Sequence, residues 1–337
     1  MRKKLVLLIT GLIAIFMLAA CGSKSQDDVV KDLNGKQKDL SSYKAEAKMT
    51  LKMGSDSQVY DVEIWHMDPN FYRVNLKNAE KDQSQMILRN NEGVFVLTPA
   101  LKKSFRFQSD WPQNSSQAYL YESLIKDIVA DKDAKFSATK EHYVFETKTR
   151  YQNNSMLPIQ EIKLNKKDLS PAVVKVMDPD RNALVTVEFT KVKFNASFDK
   201  DDFDMKKNMT RAELNMPAMA DGGDKIFTVK YPTYEIKGTK LIEEKSVKIE
   251  DGKRVVLTYD GKKSFTLVQE KVKSKVASTT PTYVEGDLVD LGITIGAVTD
   301  HSISWSQGGV DYMIASKNLT KKEMVEIAKS VQGEAVK

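Results

Sequence analysis

Between Tyr43 and Met53 every second residue is apolar: Tyr43, Ala45, Ala47, Met49, Leu51 and Met53 alternate with Lys44, Glu46, Lys48, Thr50 and Lys52. A period of two puts successive side chains on opposite faces of a strand, so this segment has one wet face and one that must be buried. The same theme predicts strands over 59–67, 71–78, 84–90, 93–98 and 104–108, parted by turn-forming Asp68-Pro69-Asn70, the stretch 78–82, Asn90-Asn91 and the stretch 99–103. Further strands are predicted over 142–149, 158–165, 171–178 and 183–194, where Val185, Val187 and Phe189 alternate with Thr186 and Glu188. The first part of the chain therefore reads as a long antiparallel meander with an apolar face to cover.

Apolar surface left in water forgoes roughly 25 cal/mol per Å², and two predicted helices supply the cover. Over 27–43, Val30, Leu33 and Leu40 recur at helical spacing among charges; over 115–130, Leu120, Tyr121, Leu124, Ile125 and Ile128 form one stripe. If the helices pack tightly they close a core, and if the sheet curves away from them an apolar groove remains. Alternation nominates Met49, Leu51, Val62, Ile64, Tyr72, Val74, Leu76, Met86, Leu88, Phe105 and Phe107 for the sheet side of that groove, with Leu120, Leu124 and Ile128 from the lid. Ordinary core packing is the alternative reading of each. Trp65, Trp111 and Trp305 read equally well as structural anchors.

Residues 206–224 lose periodicity and collect small and turn-forming residues, which predicts a linker between a first domain, 27–205, and a second, 225–337. In the second, 255–259 and 264–268 joined by Asp260-Gly261-Lys262-Lys263 read as a hairpin, and strands follow over 285–290, 292–298, 301–306 and 310–315. A final helix is announced by a capping box, Thr320 with Glu323, and a hydrophobic staple, Leu319 with Met324; Met324, Ile327, Ala328 and Val331 form its buried stripe. The fold class is α+β.

The amino terminus carries a different signal. Arg2-Lys3-Lys4 is followed by an apolar run over 5–17 and by Leu18-Ala19-Ala20-Cys21, the pattern of a bacterial lipobox. This predicts a signal peptide, 1–20, cleavage before Cys21, and thioether attachment of diacylglycerol to that cysteine. At about 0.8 kcal/mol per buried methylene two acyl chains anchor stably, so the mature chain is expected on the extracytoplasmic face of the cell membrane, with residues 21–26 as a lipidated tether. As the only cysteine, Cys21 excludes an intramolecular disulfide and a cysteine-rich zinc site.

Charge excludes another class of function. The net charge of +6 loses three cations with the signal peptide, and the balance left is too even to argue for nucleic acid. Catalysis needs converging polar groups, yet His66, His142 and His301 each stand alone on strand-like runs. There is no His-Glu-x-x-His, Gly-x-Ser-x-Gly or Walker pattern, and carboxylate pairs such as Asp27-Asp28 read as solvated surface. No catalytic centre, metal site or cofactor is predicted.

The order of helix, strands, "MDPNFYRVNL", a meander ending in "SFRFQSDWPQNSSQAYLYESLIKDI" and further strands resembles the LolA-like outer-membrane lipoprotein carrier superfamily over 27–205, with a nearer likeness to the LolA-like sporulation lipoproteins of Gram-positive spore-formers. The carboxy-terminal "HSISWSQGGVDYMIASKNLTKKEMVEIAKSV" resembles a small domain appended in extracytoplasmic lipoproteins. The resemblance implies an incomplete antiparallel β-barrel with a helical lid, followed by a small α+β domain. It also implies a membrane-anchored, non-catalytic protein that binds an acyl chain, a lipid or a lipidated protein in its groove during sporulation. The alternative is a scaffold or sensor that docks a protein partner in envelope or spore assembly or in germination, using open sheet edges. An arginine on the carrier's third strand helps control lipid release, and Arg73 resembles it; alternation sets Arg73 with Phe71 and Asn75, opposite Tyr72, Val74 and Leu76, so a solvent-facing Arg73 is the other reading. A lipid anchor of its own departs from the soluble carrier and argues against shuttling between membranes.

Overall fold

The computed structural model describes residues 24–331 except 54–55, 79–83, 100–101, 108, 114–115, 152–156, 215–227, 250–251, 273–280, 285, 292–293 and 308. The predicted signal peptide and Leu18, Ala19, Ala20 and Cys21 lie outside the described residues. Helix α1 (Gln26–Asp39) starts at a reciprocal cap: Ser25 Oγ accepts from Asp28 N at 3.2 Å, and Asp28 Oδ2 accepts from Ser25 N at 3.1 Å. It stops short of the predicted 43 because Leu40 already has extended backbone and Ser42 opens the first strand. Val29 and Leu33 are its buried residues.

Six strands follow: β1 (Ser42–Met53), β2 (Asp56–Met67), β3 (Phe71–Asn78), β4 (Ser84–Asn90), β5 (Gly93–Thr98) and β6 (Lys103–Phe107). Helix α2 (Tyr121–Ala130) comes next, starting later than the predicted 115 because Leu120 is its extended N-cap residue. It leads to β7 (Lys135–Ala138), β8 (His142–Lys148), β9 (Ile159–Asn165), β10 (Pro171–Met177) and β11 (Ala183–Phe194). Strand β11 returns to pair with β1, Met49 opposite Val187, so both ends of the meander meet mid-sheet. The order β6-β5-β4-β3-β2-β1-β11-β10-β9-β8-β7 runs from edge to edge without closing. The sheet is an open one, as the incomplete barrel required, and α1 and α2 pack together over its apolar face.

The stretch read as a linker opens differently. A 3₁₀ turn over 200–203 runs into α3 (Met205–Leu214), and Met205 and Met209, one turn apart, cluster with Met86, Leu88, Phe95 and Leu97 on the outer face of the first sheet. Two apolar anchors make too short a stripe to register as periodicity. Phe203 is fully buried at the head of this helix against Phe71 and Phe198, with ring centroids 5.5 and 5.7 Å away, and its carbonyl accepts from Asn90 Nδ2 at 3.0 Å.

Beyond it come β12 (Thr239–Ile249), β13 (Gly252–Gly261), β14 (Phe265–Val272), β15 (Thr282–Val284), β16 (Asp287–Asp290), β17 (Ile295–Val298), β18 (Ser302–Gln307), β19 (Val310–Ala315) and α4 (Lys321–Ser330). Seven of these strands form a second sheet ordered β12-β13-β14-β19-β18-β17-β16. Strand β15 instead joins the first sheet, parallel to β6, with Thr282 opposite Phe105. The predicted 285–290 strand is β16, and the short β15 just before it was not predicted. The β13–β14 hairpin forms as predicted; Gly261 has φ 143°, and a Cβ there would lie 2.0 Å from the Gly238 carbonyl oxygen. Helix α4 begins at the predicted capping box and buries Met324, Ile327 and Ala328 against the second sheet. Strand β12 was not predicted: its residues are exposed on both faces, so it has no alternation to read.

Replacing Phe203 with Ala removes the ring that seats α3. The expected loss is about 3–5 kcal/mol, read from the urea midpoint of the mature chain, and a loss below about 1 kcal/mol would mean that the outer cluster adds nothing to the native core.

Candidate functional site

The apolar face of the first sheet is where the sequence places a groove. Met49, Leu51, Val62, Ile64, Tyr72, Val74, Leu76 and Phe107 meet there, none more than 5% exposed, and Leu120, Leu124 and Ile128 close over them at 0–2%. Phe105 is half-buried at the margin of the same cluster. Met86 and Leu88 do not belong: Val74 pairs with Ile87, so Ile87 shares the inner face while Met86 and Leu88 turn outward under α3. Because β4 is buried on both faces, hydrophobicity alone cannot say which of its residues point inward. Val29 and Leu33 of α1, with Trp111 and Ile125, complete the filling.

Helix α2 is fastened over this face by buried polar groups. Asp127, with no exposed side-chain surface, accepts from Ser116 Oγ at 2.8 Å and Gln160 Nε2 at 2.7 Å, and pairs with Arg150 Nε. Arg150 N in turn donates to Ser116 Oγ at 2.7 Å. One turn earlier, Glu122 Oε1 lies 2.9 Å from His66 Nε2, while His66 Nδ1 lies 3.1 Å from the Phe71 carbonyl oxygen. Burial, and then the neighbouring Glu122, push the Tyr43 hydroxyl well up in pKa, so it stays protonated and donates to Glu122 Oε2 at 3.0 Å. His66, which looked isolated in sequence, is thus part of a buried cluster that binds lid to sheet; His142 is half-buried on β8 and His301 is exposed. Nothing in the spacing of His66, Glu122 and Tyr43 foretells it. Among the described residues no group of three or more His, Cys, Asp or Glu side chains could hold a metal ion.

Arg73 lies on the outer face, as alternation requires, but it is not in solvent. Its Nη1 meets Glu63 Oε2 at 2.6 Å, its Nε donates to Asn208 Oδ1 at 2.8 Å, and its guanidinium sits 4.1 Å from the Trp65 ring centroid. Asn208 Nδ2 donates to the Asp202 and Asp204 carbonyls, each at 2.8 Å. Arg73 therefore bolts α3 to the sheet, and the sheet stands between it and the inner apolar cluster. A gate on a concave groove would need the opposite face.

Among the described residues two small cavities lie where the sheets meet. One of about 50 Å³ is lined by Met49, Leu51, Leu76 and Tyr119 with Ile295 and Lys329. The other, about 160 Å³, lies between β5–β6 and β17–β19. Beside them Gln85 joins the sheets, its Oε1 accepting from Ile295 N at 3.0 Å and its Nε2 donating to Thr294 Oγ1 at 3.1 Å. A Lys103–Asp311 ion pair does the same from β6 to β19. No sequence pattern marks this junction, because its partners are some 200 residues apart.

For Glu63, burial pushes the carboxyl up, but hydrogen bonds from Lys44 and Arg73 outweigh it and the net displacement is downward from 4.5. A carboxyl depressed in the folded state stabilises the fold above its ordinary range and loses that contribution as pH falls through the folded value. Glu63→Gln should therefore be less stable than the parent at pH 7, and the gap in urea midpoint should close as pH falls below about 4. A gap that stays constant down to pH 3 would mean that the charge on Glu63 is not what holds Arg73.

The chain matches a family model described as "Sporulation protein YdcC-like" over residues 2–203. It is 57% identical over 336 residues to the sporulation protein YdcC of Bacillus subtilis (strain 168), covering 100% of this chain and 99% of that one. Solved structures give more distant likenesses. The MucA/MucB complex of Pseudomonas aeruginosa aligns with 13% identity and a TM-score of 0.31 over 90% of this chain and 100% of that one. A putative outer membrane lipoprotein-sorting protein domain from Vibrio parahaemolyticus aligns with 15% identity and a TM-score of 0.31 over 53% of this chain and 97% of that one. The resemblance to sporulation proteins of bacilli read from the sequence is borne out: the chain belongs to the YdcC-like sporulation protein family.

Proposed function

We propose that this sporulation protein is a non-catalytic docking module of the cell envelope, moored to the extracytoplasmic face of the cell membrane by a lipid on Cys21, and that it works by holding a protein partner. The observation that carries this reading is the filled inner face. The side chains nominated as groove are the protein's own core, at most 5% exposed apart from Phe105, and the lid over them is pinned by Asp127 and Glu122. Carriage of an acyl chain on that face, the other reading of the family resemblance, would require α1 and α2 to lift and to expose Leu33, Leu124 and Ile128, at roughly 1.5–3 kcal/mol for each side chain. The free space at the junction is about 50 and 160 Å³, against the roughly 300–1,000 Å³ of ordinary ligand pockets.

Docking has a surface to use. Strand β12 is an edge strand of 11 residues, with Leu241, Ile242 and Val247 exposed at 39, 63 and 38%. An extended partner segment can add to such an edge through main-chain hydrogen bonds, with alternate side chains setting specificity. Attachment is assigned to Cys21, which closes the lipobox pattern Leu18-Ala19-Ala20-Cys21.

Two outcomes test the two halves of this reading. Cys21→Ser should leave the precursor unprocessed and unlipidated, seen as a slower band insensitive to globomycin; normal processing would remove the anchor. In pull-downs from sporulating cells, the exposed double substitution Ile242→Lys with Val247→Lys should recover at least tenfold less partner than the parent at unchanged unfolding midpoint. Equal recovery would take the docking edge away from β12.

A further inference from the structure

The order of charges along β12 says which extended segment fits its edge. We infer that the segment is β12 of a second copy of this chain: two such strands pair antiparallel about a two-fold axis through Ser246, and the two second sheets run on as one. The inference rests on the proposed use of this edge and adds the identity of what binds there.

The facing of each side chain comes from the ladder with β13. Glu244 stands opposite Leu257 and Ser246 opposite Val255, both of them buried core residues, so Glu244, Ser246 and Lys248 point to the α4 side of the sheet. On that side the Tyr231 hydroxyl donates to Glu244 Oε2 at 2.6 Å. Glu243, Lys245, Val247 and Ile249 point the other way. A register shift between Leu241 and Glu243 ends the regular stretch, which leaves 243–249 as the straight length of edge.

Symmetry then limits the choices. In a two-fold contact a residue that meets a second one is met in return by the same pair reversed, and residues opposite one another in a sheet share a face. The axis must therefore pass through a residue, because neighbours of unlike parity point to opposite faces. An axis through Glu243, Glu244, Lys245 or Lys248 sets that charge against its own copy, which is destabilising. An axis through Val247 or Ile249 pairs 245–249 at most and brings no carboxylate of this stretch opposite a lysine. An axis through Ser246 uses the whole of 243–249. Serine then meets serine, Glu244 of each copy meets Lys248 of the other, Lys245 meets Val247 and Glu243 meets Ile249. Opposite charges thus face each other twice and like charges nowhere.

Lys248 gains from that arrangement. In its own sheet it stands opposite Lys253, a neighbour of the same sign, and among the described residues no ion pair engages it. The contacts to the first sheet come from Ile295 on β17 and Asp311 on β19, away from this edge, so pairing at β12 leaves the junction between the sheets as it is.

The test uses the full mature chain with Cys21→Ser, made without the signal peptide so that no lipid drives association. Sedimentation velocity should show a monomer–dimer equilibrium that dilution reverses. Glu244→Lys puts lysine against lysine at both pairs, and Lys248→Glu puts glutamate against glutamate, so each alone should weaken the dimer roughly tenfold. An equimolar mixture of the two variants restores opposite charges at both pairs and should return dimer to the parent's level, which a folding defect in either variant would not do. A parent that stays monomeric at its highest soluble concentration, single variants that dimerise as the parent does, or a mixture no better than its components would each overturn the second copy. The pull-down with Ile242→Lys and Val247→Lys separates this from the wider reading: if that variant loses a cellular partner while the parent is monomeric, the homodimer falls and the docking edge stands.

Discussion

The inner face of the first sheet has to leave water, and the way α2 is fastened over it governs what the rest of the molecule can do. A helix held only by Leu124, Ile125 and Ile128 could slide or lift. This one also carries Asp127, a carboxylate without exposed side-chain surface that takes hydrogen bonds from Ser116, Gln160 and Arg150. Stripping one partner from such a charge costs several kcal/mol, so lid and sheet are locked in one register. The Glu122–His66–Tyr43 cluster repeats the device at the helix's other end. An open sheet whose apolar face is filled by the protein's own side chains is the result.

The outer face shows a second consequence of the same physics. Strands β4 and β5 are apolar on both sides, which a one-layer lid cannot satisfy. Among the described residues helix α3 supplies the missing cover with Met205 and Met209, and it is kept in place by Arg73 reaching across from β3 to Asn208. Methionine suits this use, since a flexible thioether adapts to the surface it covers, here Met86, Leu88, Phe95 and Leu97. Arg73 thus ties α3 to the outer face of the sheet, on the side away from the inner apolar cluster.

What the sequence made legible is what short-range physics dictates. Strand positions, the facing of β1 to β3, the β13–β14 hairpin and the capping box of α4 all follow from alternation, turn residues and a four-residue motif. The groove list came out as core because alternation says which side chains leave water and not what they meet there. Met86 and Leu88 were misassigned for a related reason: when both faces are apolar, parity carries no sign. Partners far apart in the chain, such as His66 with Glu122 or Gln85 with Ile295, leave no local trace, and neither does β12, whose residues bury neither face.

Sheet edges show where the fold has spent protection and where it has not. The β6 edge is covered by β15, a three-residue strand borrowed from the far end of the chain. Edge strands β7 and β16 are only four residues long. Short or covered edges are the ordinary means of preventing unwanted pairing. Among the described residues strand β12 has neither: 11 residues run along the sheet edge, with Lys240, Glu243, Glu244, Lys245 and Lys248 interspersed among its exposed apolar side chains. Mixed charge of this kind repels an indiscriminate partner while leaving a complementary one free to pair, since it raises the energy of wrong registers more than of one that matches sign for sign. Selective pairing at β12, as proposed, would use the one long edge of a fold whose other edges are short or covered.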